Sequence, residues 1–163
     1  MITDSAPTDA VQRDRVEITD VLYRYASTTD RFDYDIGLRS VLADDIVAQY
    51  GNGEPIHGAD AVIAFVKEFT TGCLMQHHFL SVYHVDVDGD HAEALVYHTS
   101  HQLFERTPGI IHLLVGRYHN ELRRTEQGWK ISKLVLELCW GERRADATGY
   151  LADVGGLGPD MRA

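Results

Sequence analysis

The stretch that most limits what this chain can become runs from Cys73 to Phe104, CLMQHHFLSVYHVDVDGDHAEALVYHTSHQLF. Alternating apolar runs flank Asp88-Gly89-Asp90, and an Asp-Gly pair in that setting is a strong short-range signal for a β-hairpin. Six of the nine histidines fall inside it: His77, His78, His84, His91, His98 and His101. Histidine exchanges protons near neutral pH. Strands this rich in His, Tyr and Ser, yet apolar enough to be buried, predict a polar pocket floored by a sheet.

The rest of the chain supplies what would cover that floor. From Asp9 or Asp14, the residues Val16, Ile18, Val21, Leu22, Tyr25 and Ala26 recur at helical spacing, predicting a helix that ends near Ser27-Thr28-Thr29-Asp30. Asp30 by itself reads as a turn or capping residue. Asp33 or Asp35 is expected to cap a short helix holding Ile36, Leu38, Val41 and Leu42, ended by Asp44-Asp45 and followed by a short strand over 46–50. A third helix is predicted from Ala59 to Phe69, with Ile63, Val66 and Phe69 as its buried stripe, stopped at Gly72.

Four strands follow, at about 75–87, 91–105, 110–124 and 128–140. Ile111, Leu113 and Val115 are expected on one face of the third, and Leu134, Leu136, Leu138 and Trp140 on one face of the fourth. Helices and strands so segregated mean an α+β fold. Long antiparallel strands twist and curl, which predicts a cone-shaped curved antiparallel sheet, an α+β barrel wrapped around the N-terminal helices. A pocket between sheet and helices is the default place for a small ligand. Residues 1–10 read as disordered, 11–143 as the domain, and 144–163, which include GGLGPDMRA, as a mobile tail or partial lid.

Composition narrows the function. A formal charge of -10 argues against nucleic-acid binding, which needs clustered Lys and Arg. No run approaches the roughly eighteen apolar residues that cross a bilayer, and the polar, acidic N-terminus does not read as a signal peptide. A cytoplasmic location is expected. Cys73 and Cys139, with no CxxC, read as buried reduced thiols. His77, His78, His98 and His101 could make a nitrogen-rich metal cluster, but adjacent strand residues point to opposite faces, so no metal is expected.

With these residues in view, the chain resembles the SnoaL-like branch of the nuclear transport factor 2-like superfamily over about residues 12–143. YRYASTTDRFDYDIGLRSVLADDIVAQYGNG resembles the opening of scytalone dehydratase and of a bile acid dehydratase; GRYHNELRRTEQGWKISKL resembles the final hairpin of hexachlorocyclohexane dehydrochlorinase. The resemblance implies that Asp30, at the end of the first helix, pairs with His78 at the start of the hairpin. It implies a second histidine at His101, in a His-Gln context, and carbonyl-polarising tyrosines at Tyr50 and Tyr25. Thr29 stands where scytalone dehydratase has a tyrosine. The Ser and Asn that complete that enzyme's site have no clean counterpart here; Arg117 and His119 occupy that strand.

Those residue types suit removal of water, or another leaving group, β to a carbonyl. A base must take the α-proton, a donor must steady the enolate oxygen, and an acid must meet the leaving group. His78 held by Asp30 would be the base, Tyr25 and Tyr50 the neutral donors, His101 the acid. No cofactor is required, a small hydrophobic carbonyl-containing substrate is implied, and a homo-oligomer, dimer or trimer, is expected. Two rivals stand beside this reading: an isomerase or polyketide cyclase using the same enolate step, and a non-catalytic binding or partner subunit of the same fold.

Overall fold

The structure, a computed structural model, describes residues 8–145. The expectations for residues 1–7 and 146–163 lie outside them. The hairpin forms as its turn requires: Asp88 pairs with His91, and the two-residue loop begins at Gly89 with φ +58°, a left-handed value that glycine adopts without strain. Strand β3 (Cys73–Asp88) and strand β4 (His91–Phe104) are followed by β5 (Ile110–Thr125) and β6 (Gly128–Ala145) as an antiparallel meander.

Helix α1 (Asp9–Asp30) is capped by Thr8, whose hydroxyl accepts from the Val11 N–H. It begins inside the stretch read as disordered. Its buried stripe is Ile18, Leu22, Tyr25 and Ala26, while Val16, at the first turns, is exposed. Helix α3 (Ala59–Phe69) matches its expected span, but Val62 carries the buried face with Ile63 and Val66, and Phe69 is half-exposed.

The short second helix is the main departure. Asp33 caps a five-residue π-helical turn (Tyr34–Leu38), accepting from the Gly37 N–H, and only the single turn α2 (Arg39–Val41) is α-helical. Strand β1 (Leu42–Tyr50) then starts at Leu42, through the Asp44-Asp45 pair expected to separate helix from strand. The reason is tertiary: β1 lies parallel to β6, whose open edge offers backbone partners that outweigh local propensity. With β2 (Ile56–His57) on its far side, β1 completes a six-stranded mixed sheet in the order β2-β1-β6-β5-β4-β3. His57 lies in β2.

The core fills the concave side. Ile18, Leu38, Ile46, Val62, Val96, Leu122, Ile131 and Leu134 are essentially inaccessible, each contributing about 1.5–3 kcal/mol by burial. Helix α1 lies against β3, so the helix end and the first half of the hairpin meet over the sheet. No described helix is long and apolar enough to cross a membrane. Cys73 is half-buried and Cys139, expected inside, is exposed; both are free.

Candidate active site

Everything at the site depends on how α1 ends. The Asp33 N–H donates to Thr28 O and the Phe32 N–H to Thr29 O, which closes the last turn in the pattern usually finished by glycine. Here Phe32 takes that position at φ +59°, a conformation costing a non-glycine residue roughly 1–2 kcal/mol. Its packing against the core offsets the strain. Gln76, buried on β3, donates to Thr29 O and lies 3.3 Å from the Tyr34 hydroxyl, which in turn meets Thr70 Oγ1 at 2.8 Å. The helix end is therefore clamped to the strand one pleat from His78.

That clamp sets Asp30 against His78. Asp30 Oδ1 lies 2.5 Å from His78 Nδ1, and Oδ2 accepts the His78 backbone N–H at 3.0 Å. A carboxylate in the last turn of a helix faces the negative end of the helix dipole, and these two donors offset that. The hydrogen bond fixes the tautomer: Nδ1 carries the proton, and Nε2 presents its lone pair away from the carboxylate. The His78 side chain is only 10% exposed.

Which other side chains share this face is decided by one extra residue. Counted from the turn without interruption, His78 would lie directly across from His101. The register instead shifts between Val82 and His84, so that His84 pairs with Leu95 but His78 pairs with Ser100. Tyr83 is the inserted residue of a β-bulge, which displaces the pairing by one and exchanges faces beyond it. Gln76, His78, Leu80 and Val82 point inward; Tyr83 and His84 are both outside and exposed.

His101 is therefore on the outer face, stacked on His77 with ring centroids 6.0 Å apart. This corrects its expected place in the site. The inner histidine of β4 is His98, 3% exposed, with its ring centroid 5.3 Å from that of His78. Beyond it stands Tyr118 of β5, edge-on to His98 at 4.9 Å and to Tyr25 at 5.8 Å. Neither His98 nor Tyr118 stood out as a site residue in the sequence. The signal for Tyr118 was alternation: it lies between Arg117 and His119 and so faces the other way. The signal for His98 was also alternation, in step with Ala92, Ala94 and Val96 on β4, which pairs with β5 without a shift; the bulge on β3 decides that His78 joins that face.

The tyrosines complete the cluster. The Tyr25 and Tyr50 hydroxyls are 2.9 Å apart, and Tyr50 stacks on Phe65 at 4.9 Å. Burial drives the Tyr25 phenol well above its ordinary pKa of 10.0, with Tyr50 and Tyr118 adding to the rise. Burial likewise pushes Tyr50 up to about 12, the hydrogen bond to Tyr25 opposing it, and raises Tyr118. All three are neutral at physiological pH. One of the paired hydroxyls donates to the other, which leaves one O–H free to donate to a ligand. Burial, and then the neighbouring His78, pull His98 down from 6.5 to about 4, so it is uncharged as well.

Of the five expected residues the structure brings together Asp30, His78, Tyr25 and Tyr50 and separates His101. The last strand carries a second bulge at Cys139, since Gly116 pairs with Leu138 but Val115 with Trp140. Leu134 and Leu136 are buried, Leu138 shares their side of the strand but is half-exposed, and Trp140, expected with them, turns to the other side. Gly116 is required there, because a Cβ would come within 2.4 Å of Glu137 O. Among the described residues no group of three or more His, Cys, Asp and Glu is placed to hold a metal ion.

Comparison with known proteins fits this architecture. The model of the SnoaL-like domain family matches residues 11–135. The Kfla4162 protein of Kribbella flavida is similar at 23% identity and a TM-score of 0.75, over 81% of this chain and 95% of that one. A provisionally assigned scytalone dehydratase of Novosphingobium aromaticivorans shares 17% identity, with a TM-score of 0.75 over 85% of this chain and 95% of that one. The LinA-type3 hexachlorocyclohexane dehydrochlorinase of Novosphingobium barchaimii shares 17%, with a TM-score of 0.74 over 83% and 92%. At these identities the likeness is one of fold. No curated protein matches the sequence.

Proposed function

We propose that this chain, which belongs to the SnoaL-like domain family, is a cofactor-independent lyase. It removes water or another leaving group β to the carbonyl of a small cyclic, polyketide-like or steroid-like substrate. The observation that carries the reading is the hydrogen bond from His78 Nδ1 to Asp30, on the face that also holds the Tyr25–Tyr50 pair. His78 Nε2 takes the α-proton, and Asp30 stabilises the imidazolium formed. The electron pair left on carbon moves into the carbonyl, and the free phenol O–H of the tyrosine pair meets the developing oxyanion without a buried charge. Collapse of the enolate expels the leaving group, which takes the proton from His78 Nε2 and departs as water.

His78 thus serves first as base and then as acid, a role forced by the place of His101 on the outer face. The same observation favours a second reading. Without a separate leaving-group acid, His78 can return its proton to the γ-carbon of a β,γ-unsaturated ketone, which is isomerase chemistry on the same enolate. Purified protein offered β-hydroxy ketones should generate a conjugated-enone absorbance; β,γ-enones converted instead would select the isomerase. Turnover of neither class, with binding retained, would leave a non-catalytic binding subunit.

The protein acts in the cytoplasm as a homo-oligomer built through the outer sheet face. Phe79, Tyr83, Tyr97 and Trp140 are large apolar side chains exposed on that face, the kind of surface that an interface between copies covers. Light scattering should return a multiple of 18.3 kDa; a monomer mass would end that part of the reading.

A further inference from the structure

His98 is buried inside the site, and the elimination does not use it. It is 3% exposed, packed between the rings of His78 and Tyr118, and among the described residues neither ring nitrogen has a hydrogen-bond partner. A neutral imidazole carries one N–H donor and one acceptor nitrogen. Buried polar groups of this kind are rarely left unpaired in a folded protein. Protonation offers no relief, since burial and His78 hold the ring neutral.

The surroundings do not supply the missing partner. Directly across on β5 is Gly116, which brings no side chain. Ser100 faces the same way but is paired across from His78. A cavity of about 10 Å³ near Tyr118 is walled by Leu22, Leu80, Val96 and Ile131 among others; His98 is not part of its lining. A polar ring kept unpaired beside the proposed base has the character of a receptor whose partner arrives with the ligand.

We propose that His98 is a specificity-determining residue that reads a hydroxyl group of the substrate. Its uncharged ring donates to that hydroxyl through one nitrogen or accepts from it through the other, so the site selects hydroxylated carbonyl compounds over deoxy or halogenated analogues. A hydroxyl can do either, a methylene neither, and an organic chloride accepts only weakly. This inference rests on the inner face being the substrate site. One hydrogen bond to a buried group, at about 1–3 kcal/mol, corresponds to a preference of roughly 5-fold to 150-fold.

The test uses the intact protein labelled with nitrogen-15, with 3-hydroxycyclohexanone, 3-chlorocyclohexanone and cyclohexanone as probes. The His98 ring signals should be those of a neutral imidazole. They should shift with the hydroxylated probe and remain unmoved by the other two. His98→Phe should bind all three alike, and His98→Asn should keep part of the preference; the labelled wild type decides the matter should either variant fail to fold. Equal shifts from all three probes, or His98 signals that no probe moves because an internal water satisfies the ring, would overturn the inference. Formation of cyclohexenone is read separately. A hydroxyl-dependent shift without enone sinks the lyase reading and leaves His98 as a hydroxyl receptor.

Discussion

Two pairs of histidines, one residue apart on β3 and three apart on β4, have opposite fates. His78 and His98 face inward, 5.3 Å apart and mostly or wholly buried; His77 and His101 stack on the outer face at 6.0 Å. The residue type is constant and the strands are shared. What differs is the face. On the inside a carboxylate from another element fixes one ring and burial neutralises the other. On the outside water competes for both, although burial and His77 still lower the pKa of His101. A histidine becomes a candidate catalyst through its partner and its dielectric surroundings.

The comparison can be broken most severely on β3. One alanine inserted between Phe79 and Leu80 moves Gln76 and His78 to the opposite face, unless the strand slips. We expect loss of cooperative thermal unfolding by circular dichroism; a stable fold that keeps His78 against Asp30 would show that the strand absorbs a one-residue change of register. Next in size is the inner pair's chemistry. His78→Ala or Asp30→Asn should lower enone formation by about 10²–10⁴-fold, the usual worth of a positioned acid or base. A change below tenfold in both would remove the base from His78.

The third prediction concerns acid. His98 is pulled down from 6.5 to about 4 in the folded state, so below pH 6.5 the unfolded chain accepts a proton that the folded chain refuses. Stability should be full above pH 6.5 and fall as the pH drops toward 4, by on the order of 3 kcal/mol from this one group. Urea titrations across that window should show the loss in wild type and its reduction in His98→Phe; identical slopes in the two proteins would assign the acid sensitivity elsewhere. Smallest is the outer pair. His77→Ala and His101→Ala should alter stability by no more than about 0.5 kcal/mol and leave turnover within about twofold of wild type, since neither touches the inner face. A large loss of turnover in His101→Ala would restore it to the reaction.

Much of this was legible before any coordinates. The Asp88-Gly89 turn, the span of α3 and the four long strands follow from local chemistry: φ preferences, alternation and helical periodicity act over a few residues. The pairing of Asp30 with His78 was legible only through resemblance, because 48 residues separate the partners and no local rule reaches that far. β1 was half legible; its core of apolar residues was visible, but its extension to Leu42 depends on the edge of β6.

The amino-acid sequence by itself thus determined the elements, their order, the α+β class and the stock of proton-transfer groups, since each is written in neighbours along the chain. Tertiary structure alone decided which of those groups meet. Tyr83 and Cys139 each insert one residue between paired strands, and an insertion of one changes the face of everything beyond it, because side chains alternate with a period of two. That arithmetic brought His78 to the inner face beside His98, parted it from His101 and turned Trp140 out, and it is fixed by pairing across strands, where sequence neighbours carry no information.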